Sequence, residues 1–324
     1  MKKIVVSSLI IVIIFITTTA NATVWRVNNN DNTADFYDIK AAHDNNQVLA
    51  GDTLLVEGSH TNYSGFTCTK KITIIGPGYF LAQNYQGADV LSATIGQIIM
   101  DTGSEESSLI GLTFNSSTRV KVNTINIERC YLGAYSYIYL YAVENIRIIN
   151  CYLTRVDDYY SGTGFSSIYL NNNIITGRME IAEDCHFLSV KNNIFLGTSY
   201  KFNAYHFRNN IVIENDAAMN INSAYIENNI GTNNVFGEVN GNKNVSDINA
   251  LFVGGESPDA KYELATGSEA VGAGHEGVDC GVFSGDDTYV ISGLPPLPII
   301  TELDVDDAAS VETGLSVKIK IRSN

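Results

Sequence analysis

A short phrase recurs along the middle of this chain. IYLNNNI begins at Ile168, LSVKNNI at Leu188, YHFRNNI at Tyr205 and AYIENNI at Ala224, with starts 20, 17 and 19 residues apart. INIERCYL from Ile125 and IRIINCYL from Ile146 carry the same theme one residue shorter, and SLIGLTF from Ser108 opens the series. Each unit holds a short alternating strand whose apolar side chains face one way. One such strand cannot bury that face alone. Stacking successive units as coils, about 4.8 Å apart, pairs each strand with the next and closes a continuous core. The unit has room for two or three short strands and tight turns, and none for a crossover helix. The leucine signature of leucine-rich repeats is absent. The expected fold is an all-β, right-handed parallel β-helix.

The asparagines then acquire a structural meaning. Asn tolerates the left-handed backbone that a tight turn between strands requires. Asn172, Asn192, Asn209 and Asn228 are expected in equivalent turns, hydrogen-bonding from coil to coil as a ladder.

GDTLLVEGSHTNYSGFTCTKKITIIGPG, from Gly51 to Gly78, resembles the first coils of the pectate-lyase-like β-helix superfamily. The resemblance implies the scaffold and no single activity, since such scaffolds serve lyases, hydrolases, adhesins and phage fibres. The preceding DFYDIKAAHDN reads as an amphipathic helix capping the open end, with Phe36, Ile39 and Ala42 on one face. LATGSEAVGAGHEGVDCGVF, from Leu264, resembles the last-coil segment of secreted bacterial β-helix proteins. Pro295, Pro296 and Pro298 mark a linker. Beyond it LSVKIKIRSN alternates as a strand, expected to pack back on the solenoid or cover its end.

The first 22 residues read as a signal peptide: Lys2 and Lys3, an apolar run from Ile4 to Ile16, and a small-x-small site at Ala20-Asn21-Ala22. Residues 23–293 are expected to form the β-helix with its cap, and 294–324 the linker and terminal strand. No second apolar run follows the leader, so the mature chain is expected in the periplasm, on the cell surface or outside the cell, without a transmembrane segment. The formal charge of −15 disfavours nucleic acid and anionic membranes as partners. Five cysteines, an odd count at wide spacing, do not form a disulfide framework. Cys130 and Cys151 fall at the same place in adjacent coils, which suggests an inward stack of small side chains; a strained cross-strand disulfide is the other reading.

Alternation predicts which side chains leave the core. Asn126, Arg147, Tyr169, Ser189, His206 and Tyr225 fall on one outward level, and Asn171, Lys191, Arg208 and Glu227 on a second. Such a stripe suits a glycan, because rings stack on sugars while Lys and Arg meet hydroxyls or carboxylates. Any solvated sheet face shows a similar mixture, so the pattern alone does not assign a site. The ligand-binding candidates are Arg147, Tyr169, Lys191, His206, Arg208, Tyr225 and Glu227.

A lyase needs a base, with Lys191 and Arg208 as candidates for base and carboxylate clamp, and calcium to acidify the α-proton. The acids to hold calcium are missing from the stripe apart from Glu227. A glycoside hydrolase needs two opposed carboxylates. Asp157 and Asp158, followed by Tyr159 and Tyr160, are the available pair, placed in a long excursion from Thr154 to Ser166. EIAEDCHF, with Glu180, Glu183, Asp184, Cys185 and His186, lacks the second ligand cluster that zinc sites bring. No cofactor or metal is expected, with calcium entering only on the lyase reading. Two functional classes stay open: a non-catalytic protein binding polysaccharide or cell-surface glycan along a coil face, which these absences favour, and a polysaccharide lyase or glycoside hydrolase working in a groove along the coils. A spacer role is a third reading.

Overall fold

The computed structural model describes residues 22–30, 33–84, 87, 89–159, 164–213, 218–306 and 314–323. They form a right-handed parallel β-helix of about 8 turns. Two sheets run its length. Sheet A has 11 strands and sheet B 12 among the described residues, every pairing within them parallel. One coil shows the path: Arg147–Ile149 lies in sheet A, the chain turns at Asn150, Tyr152–Asp158 lies in sheet B, and Ile168–Asn171 returns to sheet A beside Arg147–Ile149.

The expected inward ladder is present. Leu54, Ile74, Leu109, Ile127, Ile148, Leu170, Val190 and Phe207 stack in register through sheet A, each at most 1% exposed. Leu132, Leu153, Ile175, Phe195 and Val212 do the same in sheet B. Burying each such side chain stabilises the fold by about 1.5–3 kcal/mol.

The turn between the sheets is set by one left-handed residue per coil. Gly111, Arg129, Asn150, Asn172, Asn192, Asn209, Asn228 and Gly241 all have φ between 53° and 74°. The expected ladder, however, runs through the next residue. Asn173, Asn193, Asn210, Asn229 and Asn242 point inward, each at most 5% exposed. Asn173 Nδ2 donates to Asn193 Oδ1 (3.1 Å), Asn193 Nδ2 to Asn210 Oδ1 (3.0 Å), Asn210 Nδ2 to Asn229 Oδ1 (2.9 Å), and Asn229 Nδ2 to Asn242 Oδ1 (3.1 Å). Every Oδ1 in this row also accepts a backbone N–H from the coil before it. In earlier coils Leu112, Cys130 and Cys151 fill the same position. Of the first asparagines, only Asn209 and Asn192 bond to each other (3.3 Å). The reason is geometric: the left-handed residue turns its side chain out of the coil, and its successor turns inward.

All five cysteines are buried and free. Cys130 and Cys151 take the inward-stack reading. Burial pushes the Cys68 and Cys185 thiols up to about 11, and Cys280 and the Tyr63 phenol up to about 12. Each group holds its proton longer folded than unfolded. Its contribution is therefore complete below the unfolded pKa, about 8.5 for a thiol and 10 for a phenol, and is lost as pH rises through the folded value. At about 1.4 kcal/mol per unit, the losses all run in one direction and weaken the fold as the solution becomes alkaline. We expect cooperative unfolding between about pH 10 and 12. Circular dichroism checks it, and a native spectrum retained at pH 12 would contradict it.

Three expectations need correction. Sheet A begins one strand earlier than the Gly51–Gly78 coil, with Val24–Val27 beside Thr53–Val56. The cap helix is Ile39–Asp44, capped by Asp38, whose Oδ1 accepts the Lys40 N–H (2.8 Å). Ile39 and Ala42 are buried under it, but Phe36 precedes the helix and bridges to Val27. The tail forms a hairpin, Ile299–Val305 antiparallel to Val317–Arg322, rather than a lone strand, and its first strand stands beside the early coils, where Ile299, Ile300 and Leu303 share a cleft with Pro77, Leu81 and Leu294. Glu302 is held by Lys318 and Lys320 on one face, while Ile300, Leu303, Val305, Val317, Ile319 and Ile321 stay exposed on the other. The end of the core is met instead by Phe236, whose ring lies 5.7 Å from Phe207. The proposed leader lies almost wholly outside the described residues.

The C-terminal segment before that hairpin runs back along the turns as a strap. It covers Ile174, Ile194, Ile211 and Ile230, the isoleucines that follow the asparagine pairs, with Ile248, Leu251, Ala270, Cys280 and Val282. The left-handed asparagines grip it: Asn172 Nδ2 donates to Val282 O (2.8 Å) and Ser284 O (2.6 Å), Asn192 Nδ2 to Gly281 O (3.2 Å), and Asn228 Nδ2 to Ala273 O (3.0 Å), while Asn209 Oδ1 accepts the His275 N–H (2.8 Å).

Candidate functional site

The outward positions of sheet A flank the inward ladder, so they form two rows by necessity. The pairing Asn126–Arg147–Tyr169–Ser189–His206–Tyr225 is in register across coils, as is Asn171–Lys191–Arg208–Glu227. The second row continues backward through Ile149 to Glu128. Strand pairing thus brings all seven binding candidates onto one face.

Their contacts divide the face into two ring clusters joined by polar groups. The Arg147 guanidinium sits 5.6 Å from the Tyr169 ring centre. Three coils on, His206 stacks on Tyr225 (5.2 Å, 24°) and Tyr205 lies 5.4 Å from the same ring. Arg208 lies over Tyr225 (5.1 Å) and pairs with Glu227 (2.8 Å). Burial, reinforced by the Arg208 and Lys191 charges, holds the His206 pKa below its usual value, so the stacked imidazole is neutral at pH 7. Asn171 Oδ1 accepts Ser189 Oγ (2.8 Å) and the Lys191 N–H (3.2 Å). Among the described residues, no ion pair or hydrogen bond engages the Lys191 ammonium.

The strap supplies what sequence reasoning missed. Its loops stand beside the second row and enclose a cleft of about 210 Å³, with Lys191 and Arg208 on one wall and His275, Glu276, Asp286 and Asp287 on the other. Asp287 reaches Arg147 (3.5 Å). The strap acids lie far along the chain from the stripe, and no local pattern connects them. Among the described residues, no group of three or more His, Cys, Asp and Glu side chains converges to hold a metal ion.

Asp157 and Asp158 are elsewhere. They end the strand Tyr152–Asp158 in sheet B rather than sitting in a loop, and the structure does not bring them to Lys191 and Arg208. Asp157 pairs with Arg155 (2.7 Å), and burial, with Asp158 beside it, raises its carboxyl above the usual range. Tyr159 stacks on Tyr141 (4.6 Å, 17°) under Arg119 (4.9 Å), and Tyr160 lies outside the described residues. This second aromatic and cationic patch was also missed. Its signal was the alternation of Tyr137, Tyr139 and Tyr141 with the buried Ile138 and Leu140.

Fold and face together define a parallel β-helix protein with a strapped, ring-lined coil face. No family model, curated protein or solved structure matches the chain. No helix among the described residues is long and apolar enough to cross a membrane, which says nothing of spans made by strands.

Proposed function

We propose that this is an exported, non-catalytic β-helix protein of pectate-lyase-like descent that binds a glycan across the coils of sheet A. The carrying observation is the registered face itself: two ring clusters, around Tyr169 and Tyr225, with the unengaged Lys191 ammonium between them. Successive coils are about 4.8 Å apart, so the rings span roughly 14 Å, the reach of a short oligosaccharide rather than one sugar. Stacking on each ring contributes of order 0.5–1.5 kcal/mol, and Lys191 adds a donor to hydroxyls or a carboxylate. The leader-like first 22 residues support export.

One observation favours the catalytic alternative: Lys191 and Arg208 stand side by side on adjacent coils, as base and clamp of a uronate lyase would. Against it, Arg208 is already engaged by Glu227 and Tyr225, and no group among the described residues converges to hold calcium. A polysaccharide panel separates the readings. We expect binding without unsaturated product or new reducing ends. Turnover abolished by Lys191→Ala would overturn the non-catalytic reading, and a panel that neither binds nor reacts would overturn both.

A further inference from the structure

Sheet B carries a feature that the sheet A face does not use. The strand Tyr131–Leu140 pairs with Tyr152–Asp158 at Leu132–Leu153, then resumes at Tyr137–Arg155, so residues 133–136 bulge out opposite the single residue Thr154. The bulge is anchored. Thr154 Oγ1 donates to Gly133 O (2.9 Å) and Leu132 O (3.3 Å), the Tyr137 N–H donates to Ser117 Oγ (3.1 Å), and Ser136 is buried. At its tip Tyr135 adopts φ 68° and is 87% exposed.

That combination is costly and purposeless as packing. A left-handed backbone is unfavourable for a bulky residue, and a ring standing in water recovers nothing for it. The other turns of this solenoid give the same backbone chiefly to Asn and Gly. Strain held in place by anchored neighbours, with a large side chain displayed at its apex, is the signature of a ligand clamp.

What the ring overlooks gives the ligand class. The bulge walls a groove of about 480 Å³ whose floor and sides include Tyr131, Tyr137, Tyr152, Thr154 and Thr176. Tyr131 and Tyr152 are fixed against each other (5.7 Å) and against Phe80 (4.8 and 5.2 Å). Among the described residues, no charged side chain lines the groove. Arg155, on the strand beside it, lies 4.2 Å from the Tyr137 ring centre and is paired with Asp157 (2.7 Å). Aromatic faces, hydroxyls and no net charge suit the alternating C–H and O–H faces of an uncharged sugar, and offer nothing to a polyanion.

We infer that this groove is a second saccharide site, taking a neutral oligosaccharide under the Tyr135 ring, separate from the sheet A face. The test titrates the full chain with neutral β-1,4-linked gluco-, manno- and xylo-hexasaccharides by calorimetry. At least one is expected to bind, with affinity falling tenfold or more in both Tyr135→Ala and Tyr152→Ala and staying within twofold in Lys40→Ala, a change on the exposed side of the cap helix. Tyr135→Gly relieves the backbone while removing the ring, so it should lose binding as Tyr135→Ala does while melting no lower than wild type. Absence of binding by all three sugars would overturn the inference, as would unchanged affinity in Tyr135→Gly. Loss in Tyr225→Ala with none in Tyr135→Ala would overturn it while supporting the sheet A face.

Discussion

Replacing Asn193 by alanine should lower stability by about 3–5 kcal/mol, although the residue touches no ligand face. Its amide accepts the Asn173 N–H (2.9 Å) and Asn173 Nδ2 (3.1 Å), and donates to Leu170 O (2.8 Å) and Asn210 Oδ1 (3.0 Å). The side chain is wholly buried, so truncation leaves a backbone donor, a backbone carbonyl and the neighbouring amides without partners or water. Each orphaned group costs about 1–3 kcal/mol. Asn193→Asp sharpens the test. Aspartate keeps the acceptors but sets a buried charge against two oxygens, so its folded pKa rises above the unfolded value of about 3.9. Its penalty is therefore largest at neutral pH and shrinks as pH falls toward 4, with the protonated acid donating again. Urea midpoints at pH 7 and pH 4.5 read both effects. Near-wild-type stability in Asn193→Ala would remove the ladder from the account.

Asp259→Ala should release the strap while leaving the coils wound. Asp259 is fully buried, and five donors surround its carboxylate: the Ser292 N–H (2.7 Å) and Tyr289 Oη (3.2 Å) on Oδ2, and Asn84 Nδ2 (2.8 Å), the Ala260 N–H (3.0 Å) and Ser257 Oγ (3.3 Å) on Oδ1. Tyr289 in turn bonds Tyr79 of an early coil (2.6 Å). Hydrogen bonds to a charged group are worth about 1.5–3 kcal/mol each, and their partners become buried orphans once it is gone. The expected loss is about 3–5 kcal/mol of strap docking. Hydrogen exchange should rise across residues 257–294 and stay low in strands such as Ile168–Asn171. Uniform protection in the variant would contradict this. Because the strap forms one wall of the Lys191 cleft, glycan affinity should fall with it.

The inward ladder was legible because alternation and period both act within one coil. Leu109, Ile127, Ile148 and Leu170 could be aligned from spacing alone, and the outward rows followed. The ladder of asparagines was half legible. The left-handed preference of Asn172 and Asn192 is local, but which asparagine of a pair faces inward depends on how the chain leaves the turn. Counting on from the inward Leu170 places Asn171 outside, Asn172 in the turn and Asn173 inside. The strap was illegible for a different reason. His275, Asp286 and Asp287 reach the site through contacts with no period, and the Asn172–Val282 grip links positions that no repeat relates. The Tyr135 bulge is a register event between two strands, so a single strand read alone cannot reveal it.

Calorimetric titration with the panel glycan that binds best to the Tyr135→Ala chain, which lacks the sheet B ring, compared with the same chain carrying Tyr225→Ala or Lys191→Ala in addition, tests the proposed glycan-binding face most directly. The account predicts a saturable isotherm for the Tyr135→Ala chain, with affinity reduced about tenfold by each added substitution, as the loss of one stacked ring or one charged hydrogen bond would give. Unchanged affinity in both doubly substituted chains, with the fold intact, would contradict it.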